Sequence, residues 1–190
     1  MAENKVRFGL KNVHYAVLTE GNTNSWDTPV PVPGAVSITI DSNTSDNTFY
    51  ADNVAYYKVF ANNGYSGSLE MARISDAMMQ AIWGDTLGAT DKILYEKTGV
   101  QPKPFALLFE VDGDQEGEKY VFYRVVPTSK PSAGSQTIGE NAEPTTQSFD
   151  FEALPLVTGA STELGLIKGR TTENTPTATA SGWFNAVVTP

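Results

Sequence analysis

The sequence predicts a mainly β fold, and three observations carry that expectation. Apolar residues make up 40% of the 190 and charged residues 18%, enough to build a core and too few charges for a disordered chain. Aromatic residues reach 11% and Val and Thr recur throughout, a composition that suits half-buried sheet faces better than long helices. Apolar and polar residues alternate in several segments, whereas helical spacing stands out only once. The architecture expected is a single domain over residues 1–190, a β-sandwich or partly closed barrel with one flanking α-helix, an N-terminal arm (1–8), a long loop (41–53) and a C-terminal arm (171–190).

The first strand is expected at Val13–Leu18, followed by a polar turn and by Pro29, Pro31 and Pro33, which read as an extended edge. In Val36-Ser37-Ile38-Thr39-Ile40 the apolar residues fall on one face, because successive strand residues point to opposite sides. Residues 41–53 turn to Asp, Asn, Ser and Thr with Phe49 and Tyr50 set among them. This stretch is too polar for a core strand and too aromatic for a plain linker, so a long loop or mobile hairpin is expected. Residues 54–60 and 65–72 read as two strands of a hairpin turning at Asn62-Asn63-Gly64, whose residue types tolerate positive φ.

One helix is expected at about 76–83. Ser75 is a good N-cap, Asp76 suits the positive end of the helix dipole, and Gly84 supplies the stop. Ile74, Met78, Ala81 and Ile82 share a side, so the helix should pack on the sheet and cover an open face. Further strands are expected at 92–96, 105–111 and 120–126, the last two forming a central hairpin, and at 145–154. In that last segment Phe149, Phe151 and Ala153 alternate with Ser148, Asp150 and Glu152. A Thr- and Ala-rich tract, 171–181, leads to Trp183 and Phe184, a tail with an apolar tip.

Several chemistries find no footing. The chain has no cysteine, which removes disulfides, thiolate metal sites and cysteine nucleophiles. With a net charge of −9 and 13 Lys and Arg residues scattered singly, it has no basic stripe for tight nucleic-acid binding. The residues after Met1 enter no apolar signal-like stretch, and no run of about 18 apolar residues occurs, so synthesis and use in the cytoplasm without membrane insertion are expected. His14 is the sole histidine and has no nucleophile near it in sequence. Gly64-Tyr65-Ser66-Gly67 departs from the G-x-S-x-G elbow because its second glycine comes one residue early. Asp112, Asp114 and Glu116 with Gly117 imitate the start of an EF-hand loop. Tyr123 then stands where a bidentate carboxylate is needed, and strands flank the loop in place of helices, so calcium is not expected. No enzyme and no cofactor is expected, although a pair of carboxylates brought together by the fold would escape a search by spacing.

Phe8-Gly9-Leu10-Lys11-Asn12-Val13-His14-Tyr15-Ala16, the block Gly64–Ala72 running into the helix, Lys103–Glu110 with Tyr120–Val126, and the closing Trp183-Phe184-Asn185-Ala186-Val187 together resemble the major tail protein, or tail tube protein, family of long-tailed bacteriophages. The likeness covers most of the chain in order, with individually loose motifs. It implies a structural subunit whose six copies form a ring, with rings stacking into a hollow tube through which DNA passes without specific binding. It also implies a place in the virion tail after assembly in the host cytoplasm, with tape measure protein and tail terminator or baseplate proteins as partners. No immunoglobulin-like extension is expected within 190 residues. Under this resemblance Phe49 and Tyr50 are the expected inter-ring contacts, and Phe8, Trp183 and Phe184 the expected contacts of the terminal arms, with Trp183 and Phe184 meeting either a neighbour or the subunit's own sheet. The acidity would let phosphates slide past the lumen wall, or would serve solubility alone. The alternatives are a carbohydrate-binding or adhesin-like β-sandwich, whose tyrosines and tryptophans stack on sugars, and more distantly a two-carboxylate hydrolase.

Overall fold

The computed structural model describes residues 9–112, 117–132, 134–135 and 144–190. The whole N-terminal arm (1–8), Phe8 included, lies outside them, as do Asp114 and Glu116 of the acidic loop.

The chain is mainly β. Its strands are β1 (Leu10–Thr19), β2 (Ser25–Trp26), β3 (Val30–Pro31), β4 (Ala35–Ala51), β5 (Val54–Met71), β6 (Thr86–Leu87), β7 (Leu94–Tyr95), β8 (Phe105–Val111), β9 (Glu118–Pro127), β10 (Gln147–Ala153) and β11 (Lys168–Arg170). Nine of them form one antiparallel sheet in the order β2-β1-β8-β9-β10-β5-β4, with β3 added to β1 and β11 to β9, while β6 and β7 pair separately. The sheet is open, neither closed into a barrel nor split into two stacked sheets. It curls far enough for a short strap to tie its two ends together. The Val32 amide donates to the Val13 carbonyl at 2.7 Å, and the Ala72 amide donates to the Gly34 carbonyl at 2.7 Å.

The central hairpin forms as the sequence predicts, β8 pairing with β9 from Phe105↔Val125 to Val111↔Glu118. β8 is buried on both faces because each has its own cover. Phe105, Leu107 and Phe109 join a large cluster with Phe122, Phe149, Phe151, Leu69, Met78 and Trp83. Ala106 and Leu108, pointing the other way, join a smaller cluster with Ala16, Leu18, Tyr123, Leu156 and Trp183.

The large cluster is roofed by the helix. Residues Asp76–Met78 are α-helical and Met79–Trp83 continue as a π-helical turn. The Ser75 hydroxyl caps the start by accepting from the Met78 amide at 3.2 Å, and Gly84, at φ 73°, ends it in the left-handed conformation. Met78, Ile82 and Trp83 are buried, and Trp83 meets Phe149 edge to face at 5.1 Å. β10 shows the expected alternation, with Phe149, Phe151 and Ala153 buried and Ser148, Asp150 and Glu152 exposed.

Three expectations need correction. Residues 41–53 are strand for almost their whole length, belonging to β4 and the start of a two-residue turn at Asp52 and Asn53, which both adopt positive φ (52° and 62°). Positive φ at both central residues is what the tightest hairpin turn requires. Asn62-Asn63-Gly64 is therefore no turn, and 54–71 is one continuous strand. Between the pairs Ser42↔Tyr65 and Thr44↔Asn62, residues 63 and 64 face residue 43 alone, a bulge in which Gly64 takes φ 107°. The alternation in β4 holds for Ile38 and Ile40, which pack on the large cluster. Val36 is exposed, because the ladder slips between Ala35 and Ser37.

Candidate assembly interface

β4 and β5 outrun the sheet that holds them. β10 braces β5 only from Tyr65 to Met71, and β4 is the end of the strand order. From the bulge to the turn at residues 52 and 53 the two strands therefore have only each other among the described residues. Eight residues of β4 beyond the bulge, at a rise of roughly 3.3 Å each, carry the ribbon about 25 Å past its last support.

The base of this arm is polar and ordered. The Ser66 hydroxyl donates to Asn43 Oδ1 at 3.1 Å, Asn63 Nδ2 donates to the Ser45 hydroxyl at 3.1 Å, and the Gly64 amide donates to Asn62 Oδ1 at 3.1 Å. Further out it turns aromatic. Phe49 pairs across the ladder with Tyr57 and Asn47 with Val59, while Asp46 with Phe60 and Thr48 with Lys58 occupy the opposite face. Phe49, Tyr50, Tyr56, Tyr57 and Phe60 are all 63% exposed or more, so neither face of the ribbon has found a core. The Asp46 to Lys58 ion pair, at 2.8 Å, crosses diagonally between the strands and is itself exposed.

An isolated two-stranded ribbon is marginal in water, and clustered exposed rings of this kind mark an interaction surface. Phe49 and Tyr50, singled out from sequence, are at the tip of the arm. Tyr56, Tyr57, Val59 and Phe60, assigned from sequence to an ordinary sheet strand, belong to the same surface. The signal was present in the run Tyr56-Tyr57-Lys58-Val59-Phe60, whose apolar residues occupy both strand faces with no second layer to receive them.

The C-terminal segment has a different place. Trp183 is buried, 5% exposed, in the smaller core cluster of its own subunit, with its indole N–H directed at the Tyr120 carbonyl 3.4 Å away. Phe184 stacks on His14 with ring centroids 4.6 Å apart. Tyr123, beneath this segment, donates its hydroxyl to the Val188 carbonyl at 2.9 Å, and burial pushes its phenol up from the ordinary value.

A second exposed apolar surface lies on the excursion between the helix and β8. Leu87, Ile93, Tyr95 and Val100 are each more than 40% exposed, yet the segment is firmly held. Lys130 bridges Asp85 at 3.2 Å and Glu96 at 2.8 Å, and the Lys103 amide donates to the Ile82 carbonyl at 2.8 Å. The Tyr95 hydroxyl donates to Asp91. That bond, with the Ile93 amide, holds the Asp91 carboxyl below its ordinary range and raises the Tyr95 phenol.

Among the described residues no three His, Asp or Glu side chains converge as a metal site would need, and no helix is long and apolar enough to cross a membrane. One open hollow of about 560 Å³ is lined by Lys119, Arg170 and the threonines from Thr171 to Thr177. Ser66 of the abortive elbow sits within β5 and not on the turn that joins that strand to the helix.

The sequence matches no family model and no curated protein. Among the solved structures that match is the anti-feeding prophage cap, described as its tube terminating cap and determined by electron cryo-microscopy. It is 13% identical with a TM-score of 0.44, and the match covers 88% of this chain and 93% of that one.

Proposed function

We propose that this chain is a structural protein of a phage tail and, more finely, the subunit of the tail tube, with copies closing into hexameric rings that stack into a hollow conduit for DNA. The observation that carries the reading is the hairpin arm, which leaves its own sheet and presents five rings to solvent. The sequence resemblance supplies the assembly in which such an arm has a use. Within that reading the protein acts through contacts and not through catalysis. Tape measure, terminator and baseplate proteins are its partners in the virion tail, after assembly in the host cytoplasm.

Magnitudes favour a ring over a pairwise association. Burying one exposed ring contributes roughly 1.5–3 kcal/mol, whereas fixing two free molecules together costs about 4–15 kcal/mol. One arm on one neighbour barely covers that cost. A closed ring presenting its arms together forms the later contacts intramolecularly, and contacts between unlike surfaces are the kind that close into rings and stack into filaments.

The test removes residues 44–61 and closes the strands with an Asn-Gly turn. Concentrated full-length protein should show rings or hollow tubes by negative-stain electron microscopy, and the shortened variant should stay a folded monomer. Tubes from the shortened variant would overturn the role of the arm. A second reading, sugar binding, is favoured by the exposure of Tyr50, Tyr56 and Tyr57. Persistent full-length monomers that bind glycans would establish it instead.

A further inference from the structure

Asn63-Gly64 is the only Asn-Gly step in the chain, and it stands at the root of the arm. Such a step is chemically labile. The glycine nitrogen, with no Cβ to obstruct it, can attack the side-chain carbonyl carbon of the preceding asparagine. Asn63 is exposed, so water reaches it. Its glycine cannot give way to a safer residue, since φ is 107° and the Ala153 backbone crowds the position. Nor does the ladder hold the step firmly. Residues 63 and 64 together face residue 43, and at a bulge the pairing is locally interrupted. Two side-chain hydrogen bonds oppose the reaction instead. The Gly64 amide donates to Asn62 Oδ1 at 3.1 Å, an Asx-type link from residue 62 to residue 64. Attack requires that nitrogen to lose its proton, which would set an anion against a carbonyl oxygen. Asn63 Nδ2 donates to the Ser45 hydroxyl at 3.1 Å, holding the side-chain amide toward β4.

We propose that Asn63 is a site of spontaneous deamidation in the free subunit, and that Asn62 and Ser45 hold it in check. When the root of the arm opens, the Gly64 nitrogen gives its proton to solvent and bonds to Asn63 Cγ. The Cγ–Nδ2 bond breaks, and the nitrogen takes up a proton and leaves as ammonia. Water then opens the cyclic imide at one of its two carbonyls. The products are aspartate at position 63 and isoaspartate, in which the main chain runs through the former side chain. Water is the only co-reactant, and the chemistry is independent of the tail-tube reading. Either product adds a negative charge to a chain already at −9. Isoaspartate also inserts one backbone carbon between the pairs Thr44↔Asn62 and Ser42↔Tyr65, lengthening β5 against β4 where the arm leaves the sheet.

The full-length chain, held at mildly alkaline pH and mapped by peptide mass spectrometry, reports the rate at Asn63. Conversion should be at least about tenfold slower in the native chain than in guanidinium chloride, because the reaction waits on local opening. Asn62→Ala and Ser45→Ala each remove one hydrogen bond and should quicken the native rate roughly 2- to 10-fold, with the denatured rate nearly unchanged. Asn62→Asp keeps an acceptor for the Gly64 amide and should stay near the wild-type rate. Fluorescence of the buried Trp83 and Trp183 confirms that each variant is folded, and Ser45→Ala, on the other strand, stands in for an Asn62→Ala chain that is not. Equal rates in native and denatured wild type would overturn the protective role. So would native variants no faster than wild type, or an Asn62→Asp chain as fast as Asn62→Ala. Absence of conversion at Asn63 in denaturant would overturn the site itself.

Discussion

Gly64 lies against Ala153 so closely that a Cβ placed on it would stand 2.2 Å from the Ala153 carbonyl oxygen. This is the point where the arm departs from the sheet. The absence of a side chain there lets β10 brace β5 up to Tyr65, and φ 107° lets the strand bulge and continue. Gly64→Ala meets both obstacles, contact with rigid backbone and an unfavourable φ. A loss of about 2–3 kcal/mol is expected, read from the urea midpoint of the monomer. An unchanged midpoint would mean that the bulge relaxes freely.

The rings on the arm should matter to assembly and not to folding. Phe49→Ser with Phe60→Ser alters two side chains that are 63% and 67% exposed, so monomer stability should stay within about 0.5 kcal/mol. Losing two buried rings from an interface should raise the assembly concentration about 100-fold or more. A large drop in thermal stability would show that the rings already serve the subunit's own core.

Trp183 should behave in the opposite way. It is enclosed by Ala16, Leu108, Val121 and Leu156, and Trp183→Ala should destabilise the isolated subunit by about 3–5 kcal/mol. Denaturant unfolding would measure this. A cost below about 1 kcal/mol would indicate that the segment leaves the sheet in solution.

The excursion carries a pH dependence of definite sign. A carboxyl held below its ordinary range stabilises the structure around it above that range, and the contribution is lost as pH falls through its own lowered value. Asp91 is such a group, chiefly through Tyr95 and then through the Ile93 amide. Amide protection factors across β6 and β7, taken against the intrinsic exchange rate at each pH, should therefore fall on acidification before those of the main sheet. Tyr95→Phe should move the Asp91 titration, followed by NMR, back up toward the ordinary value. No movement would assign the effect to the Ile93 amide alone.

What could be read from sequence divides along physical lines. The alternation in β10, the apolar run Phe105–Phe109 of β8 and the Ser75 cap are local patterns, and each forms where expected. Asn62-Asn63-Gly64 shows the limit of such patterns. Its need for positive φ was legible, but a turn and a bulge both meet that need. The choice is made by register against Asn43, about twenty residues away. Trp183 was legible as an apolar tip bound for a neighbour or for its own sheet, and the choice was not, because its burial depends on a sheet face assembled from β1, β8 and β9. Phe49 and Tyr50 stood out because polar residues surround them, whereas Tyr57 and Phe60 were hidden in a run that looked like ordinary strand.

The strap between the two ends of the sheet has a mechanical meaning. Val32 is hydrogen-bonded to β1 and Gly34 to the residue after β5, so a span of three residues sets the gap between the ends. Pro31 and Pro33 flank Val32, and their fixed φ angles leave that span little slack. A sheet clipped in this way resists flattening under load. Curvature stored in each copy, and not negotiated between copies, would give a stacked polymer a bore of constant width along its whole length.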